Sequence, residues 1–100
     1  MDNEIYRQGD VLLVRIAELP KEATRKDNIV AFGETTGHKH QFDEGAVVYK
    51  TASGQQVVQI QKTAILQHEE HKHLTIPKGI YEIRIQREFD VAAETRRVMD

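Results

Sequence analysis

All five histidines of the chain fall inside two short windows, residues 37–42 and 68–73. Each window contains a His-x-His pair, and carboxylates lie beside or within both windows. Neutral imidazole nitrogens and carboxylate oxygens are the ligands that borderline divalent metals prefer. The sequence therefore predicts a divalent-metal site, without distinguishing zinc from iron or manganese. Its candidate ligands are His38, His40, His68, His71 and His73.

The spacing of the first window is typical of a strand. His38, His40 and Phe42 are two residues apart, so on a strand their side chains project from one face. In the second window, the core-like alternation of Leu74 and Ile76 places the preceding His-x-His pair on the opposite face if the strand begins that early. The two pairs can form one site only if the second window is a loop, or if they meet across a subunit boundary.

Several other kinds of site find no support in the sequence. The absence of cysteine excludes disulfides, thiolate zinc sites and cysteine nucleophiles. Ser53 is the only serine and lies beside Gly54 in a turn-like segment, away from any nucleophile-elbow pattern. There is no phosphate-binding loop and no dinucleotide fingerprint. A formal net charge of −2 argues against a dominant nucleic-acid surface.

The pattern of apolar residues predicts a single all-β domain over residues 1–100, either a small barrel or a sandwich. Short segments with the alternation or β-branched composition of strands are separated by glycine and proline turns. A short helix is predicted over residues 91–99, capped by Asp90. The predicted strand segments are 10–16, 29–32, 38–42, 46–50, 57–61, 64–66, 74–76 and 81–89.

Four more local features are predicted. Residues 1–9 are expected to be a polar lead-in, and residues 21–28 a surface loop. In the first strand, the core-facing side chains are predicted to be Leu12, Val14 and Ile16. Pro77-Lys78-Gly79 carries a turn signal that would separate the last two strands. Arg87 interrupts the apolar face of the last strand, so it is expected to be paired or to lie near the rim of the sheet.

Part of the sequence resembles a known motif. The segment from Gly33 through His38-Lys39-His40 to Glu44 is similar to the first cupin motif, and Pro77-Lys78-Gly79 is similar to part of the second. The resemblance implies a small β-barrel in which His38, His40 and Glu44 are metal ligands. Where the second motif has histidine and asparagine, this chain has Glu82 and Gln86. The chain also looks like a small uncharacterised bacterial or phage family, a resemblance that implies no activity.

The sequence therefore supports two alternative functions. The first is a small cytoplasmic protein that binds a divalent metal through the histidine windows and forms a homo-oligomer, with catalysis left open. The second is a non-enzymatic interaction module in which the histidines, with Lys39, Lys72 and Arg87, hold an anionic ligand such as a nucleotide, or a protein partner. The cytoplasmic, membrane-free expectation rests on an N-terminal segment without signal-peptide features and on the lack of a long apolar run.

Overall fold

The computed structural model describes residues 5–32, 38–69 and 71–86, and in these residues all regular structure is β. This confirms the all-β prediction for the described part of the chain. The predicted helix over residues 91–99 and the predicted rim position of Arg87 lie outside the described residues. The strands are β1 Ile5–Gln8, β2 Val11–Ile16, β3 Thr24–Lys26, β4 Ile29–Phe32, β5 Lys39–Phe42, β6 Ala46–Lys50, β7 Gln56–Gln67 and β8 Leu74–Ile85.

The eight strands form one antiparallel sheet that curls into a half-barrel. Its main order is β1-β2-β8-β7-β5-β4, and a branch places β6 between β7 and β3. Strand β7 is long enough to pair with β6 through its first half and with β5 through its last residues, while β8 lies along its other side. The antiparallel β7–β8 pair is therefore the centre of the sheet, and the other strands pair outward from it.

The concave face of the sheet holds the apolar core. Phe42, Leu66, Ile76 and Tyr81 are each at most 1% exposed, and the Tyr6 ring packs edge-on against Tyr81 at 5.9 Å between centroids. Burying side chains of this size provides the main favourable term in folding. Among the described residues, no helix is long and apolar enough to cross a bilayer.

The predicted inner face of β2 is wrong. Val11 and Leu13 are completely buried, whereas Leu12, Val14 and Ile16 are only partly buried. The cause is that residues 11–14 are all apolar, so alternation in the sequence cannot indicate which face is buried. Pairing with β1 and β8 settles the question by placing Leu13 opposite Tyr6 and Ile83.

The predicted turn at Pro77-Lys78-Gly79 is also wrong, because β8 runs through it without interruption. Ile60 pairs with Gly79 and Thr63 with Pro77, so β7 has one extra residue opposite Lys78. A β-bulge of this kind tolerates proline, which has no N–H to donate to the ladder. Two more segments also differ from prediction: part of the expected lead-in forms β1, and part of the expected surface loop forms β3.

Candidate functional site

Four of the five histidines form one cluster of rings at one end of the sheet. The ring centroids of His40 and His68 are 4.2 Å apart, and those of His68 and His71 are 4.5 Å apart. The His40 and His71 rings are roughly parallel at 6.0 Å, and His38 packs edge-on against His68 at 5.9 Å. We call these four residues the ring cluster. It unites both histidine windows within one chain.

The windows meet because the second one is a loop. His40 projects inward from β5 and is 1% exposed, while His68 follows the last residue of β7 and is 7% exposed. The described residues between β7 and β8, 68–69 and 71–73, lie outside both strands and therefore do not follow strand alternation. Of the two arrangements that the sequence allowed, the loop within one chain brings His68 and His71 to the first pair, and His73 remains outside the cluster.

Strand β1 reaches the same cluster because the sheet curls. In a flat sheet, β1 and β5 would lie four strand spacings apart, about 19 Å. Instead, Gln8 of β1 lies 3% exposed beneath His40 of β5. Its amide nitrogen donates to the carbonyl oxygens of Leu66 and Lys72, both at 2.8 Å. Gln8 thus joins β1 to β7 and to the 68–73 connection.

The position of the Gln8 amide also fixes the proton on His40. Because the amide nitrogen faces two carbonyl oxygens, the amide oxygen is the atom that lies 2.9 Å from Nδ1 of His40. An amide oxygen only accepts hydrogen bonds, so Nδ1 carries the proton and donates it. In the neutral ring, Nε2 then carries no proton and keeps its lone pair. A metal-binding histidine typically has this arrangement, in which one ring nitrogen donates and the other is left for the ion.

That lone pair faces a carboxylate. The Oδ1 atom of Asp10 lies 3.2 Å from Nε2 of His40. Asp10 follows Gly9 in the turn between β1 and β2. Its backbone carbonyl oxygen accepts a hydrogen bond from the backbone N–H of Gln86 at 2.7 Å. Two acceptor atoms at this distance repel each other unless a proton or a cation lies between them.

Gly9 allows this turn to pack against the ring cluster. Its φ of +59° lies in the left-handed region that glycine adopts without strain. A Cβ atom at this position would lie 2.7 Å from Nε2 of His71 and 3.2 Å from Cε1 of His40. A larger residue would therefore displace the histidines as well as strain the backbone.

The surroundings of His40 disfavour its charged form. Burial lowers the pKa of His40 from 6.5 to about 4, and the His68 and His71 rings act in the same direction. The Asp10 carboxylate raises the pKa but does not outweigh these effects. At neutral pH the ring is therefore neutral, and its Nε2 lone pair is directed toward Asp10.

His68 has a different hydrogen-bonding pattern. Its Nδ1 accepts the backbone N–H of His71 at 3.2 Å. In the neutral ring the proton is then on Nε2, so no lone pair of His68 is available to an ion in this arrangement. The residue instead holds the backbone that carries His71. Within the described residues, no three His, Asp or Glu side chains are already arranged to hold a metal ion.

Two of the sequence candidates lie outside the cluster. His73 is exposed and borders a separate outer cavity. Glu44 is exposed in the turn between β5 and β6, four residues beyond His40 and on the order of 10 Å away along the chain. This placement does not favour Glu44 as a ligand of the same ion as His40.

Sequence reasoning missed Gln8, Gly9 and Asp10. The one available signal was Gly9-Asp10, a glycine-aspartate pair followed immediately by the apolar run of β2, which is typical of a hairpin turn. Nothing in the sequence indicates that Gln8 contacts His40, because the contact depends on how far the sheet curls.

Comparisons with known proteins give one match. No curated protein and no solved structure matches the sequence. The comparisons lend no support to the cupin resemblance, whereas the expected similarity to a small uncharacterised family is supported. The matched segment, residues 7–86, includes Gln8, Asp10 and all of the ring cluster, and it spans most of the chain. On this match, the chain belongs to the family described as domain of unknown function DUF8820.

Proposed function

We propose that the protein binds one divalent metal ion at His40, Asp10 and His71. One observation carries the proposal: the Nε2 lone pair of the buried, neutral His40 faces Oδ1 of Asp10 at 3.2 Å. A proton on Nε2 would relieve the repulsion, but burial opposes a charged ring. A divalent cation relieves it while leaving the imidazole neutral.

The separation of the two atoms is suited to a shared ion. With bonds of roughly 2.0–2.1 Å and a tetrahedral angle, neighbouring ligand atoms lie about 3.3 Å apart. The 3.2 Å between His40 and Asp10 is close to this value. The hydrogen bond from Nδ1 of His40 to Gln8 holds the ring in the required tautomer, as outer residues do in metal sites.

His71 is the third ligand in this proposal. It is exposed on the 68–73 connection, and its ring lies roughly parallel to His40 with its Nε2 over Gly9. Because this exposed side chain can rotate without any movement of the sheet, His71 can turn toward a bound ion and become its third ligand. Two imidazoles and one carboxylate leave room for water or a ligand oxygen on the ion.

The test uses untagged protein stripped of metal, with Zn²⁺ as the probe. Native mass spectrometry should show one ion per chain, and the melting temperature should rise with Zn²⁺ because binding stabilises the folded state. Asp10→Asn keeps the shape but removes the charge, and it should weaken binding by at least about a hundredfold. His40→Ala and His71→Ala should behave similarly.

His73→Ala is the matched control, because His73 lies on the same connection but outside the ring cluster. It should bind Zn²⁺ like the wild type. The double variant His40→Ala/His71→Ala should lose little beyond either single variant, since both remove ligands of one ion. Equal weakening by His71→Ala and His73→Ala, or a wild type with no bound Zn²⁺, would reject the site.

A further inference from the structure

The outer cavity that His73 borders lies on the convex face of the sheet. It is open to solvent and has a volume of about 330 Å³ at the end where β5 and β7 pair. Inward-facing His40 and Phe42 alternate with outward-facing Lys39 and Gln41 along β5, so the cavity is on the opposite face of β5 from the His40 ring, and His68 borders both the ring cluster and the cavity. Its lining residues are polar: Lys39, Gln41, Gln67, His68, Glu69 and His73.

The polar groups of this cavity are arranged side by side. Gln41 and Gln67 are direct partners in the β5–β7 pair, which makes their side chains neighbours on one face. Lys39 is two residues before Gln41 and shares that face. Among the described residues, the Lys39 ammonium forms no ion pair, and neither glutamine amide has a hydrogen-bond partner.

Among the described lining residues, the one carboxylate, that of Glu69, has a defined role. Oε1 of Glu69 accepts the backbone N–H of Lys39 at 3.0 Å, which ties the 68–73 connection to the start of β5. Besides the two histidines, the remaining lining groups are one ammonium and two amides, which offer N–H donors on one concave surface. Donors of this kind bind the oxygens of carboxylate or phosphate groups.

We propose that this cavity binds a small oxyanion, a carboxylate or a phosphate group, through Lys39, Gln41 and Gln67, with His73 at its border. A volume of about 330 Å³ is at the lower end of the range for small-molecule sites, so the occupant is a small metabolite or one group of a larger ligand. The site is independent of the metal, because none of the three proposed metal ligands lines it.

The experiment is a titration of the metal-free full chain with inorganic phosphate, followed by amide NMR shifts at constant ionic strength. A parallel titration with succinate distinguishes phosphate from carboxylate preference. Saturable shifts should centre on residues 39–41 and 67–73 for at least one anion. Lys39→Gln should weaken binding about fivefold, and Gln67→Glu should weaken it further by adding a like charge.

Lys78→Gln is the matched control, because it removes one exposed lysine from a different part of the sheet. It should leave the affinity unchanged, as should Asp10→Asn, which belongs to the metal site alone. Non-saturable shifts, or equal weakening by Lys39→Gln and Lys78→Gln, would show general charge attraction and overturn the proposal. Loss of binding in Asp10→Asn would instead assign the anion to the ring cluster and overturn the separate cavity.

Discussion

The properties of His40 follow from three contacts. The Gln8 amide oxygen accepts a hydrogen bond from its Nδ1–H, Asp10 lies against its Nε2, and the sheet excludes water from the ring. The first contact fixes the tautomer, and burial keeps the ring neutral. Together they make His40 a pre-oriented lone-pair donor, whereas His73 has the same side chain but lies exposed.

At this scale the pKa of His40 gives a prediction for metal-free protein. The folded-state pKa of about 4 lies below the ordinary 6.5, so the unfolded chain takes up a proton first as the pH falls. The stability contributed by neutral His40 is therefore complete above about pH 6.5 and is lost progressively toward about pH 4. The shift corresponds to a loss on the order of 2–3 kcal/mol. Urea unfolding at about pH 7 and about pH 4.5, with chelator present, measures it.

His40→Asn is the informative variant for this prediction, because its amide can still donate to Gln8 but cannot titrate. Its free energy of unfolding should fall less between the two pH values than that of the wild type. His73→Asn, at an exposed position, should retain the wild-type pH dependence. Parallel pH dependence in all three proteins would mean that His40 is not the group responsible.

At the scale of elements, Gln8 closes the curl of the sheet by linking β1 to β5, β7 and the 68–73 connection. Gln8→Leu keeps the volume but leaves Nδ1 of His40 and the carbonyl oxygens of Leu66 and Lys72 without their partner. Each buried polar group left unpaired costs about 1–3 kcal/mol. We therefore expect the free energy of unfolding to fall by at least about 3 kcal/mol, as measured by urea denaturation of metal-free protein.

Gln56→Leu provides the comparison for Gln8→Leu. Gln56 is a half-buried β7 residue whose amide, among the described residues, makes one hydrogen bond, to the Val30 carbonyl oxygen at 3.0 Å. Its loss should cost about 1 kcal/mol. A Gln8→Leu protein that is no less stable than Gln56→Leu would show that the contacts of Gln8 do not hold the curl.

The elements also show what the sequence could predict. The predicted strands over residues 38–42 and 81–89 match β5 from Lys39 and β8 as far as Ile85, because in these segments one face is buried and the other is not. The all-apolar run of β2 and the proline in β8 were misjudged, since pairing and a bulge decide them. For the site, histidine spacing identified the cluster, but Gln8 and Asp10 reach it through the curl, which no local pattern encodes.

At the scale of the whole molecule, the edge of the sheet at β1 leads to the last prediction. Strand β1 ends the sheet order and pairs only with β2 in the described part of the chain, and its Ile5 is 56% exposed. At the other end of that order, β4 carries Phe32, which is 55% exposed. Small β domains commonly hide such edges by pairing with another chain.

We therefore expect the protein to form a homo-oligomer, with β1 at the interface, where a second copy would cover Ile5 and satisfy the outward backbone groups of the strand. Light scattering coupled to size exclusion, at high micromolar concentration, should give a mass of at least two chains. Ile5→Lys places a charge on the edge and should shift the mass toward the monomer. Gln59→Lys adds the same charge at a half-buried position of β7 that is paired with β6 on one side and β8 on the other, and it should leave the mass unchanged. A monomeric wild type at that concentration would contradict the prediction. An oligomer whose mass is unchanged by both substitutions would show that the interface does not include β1.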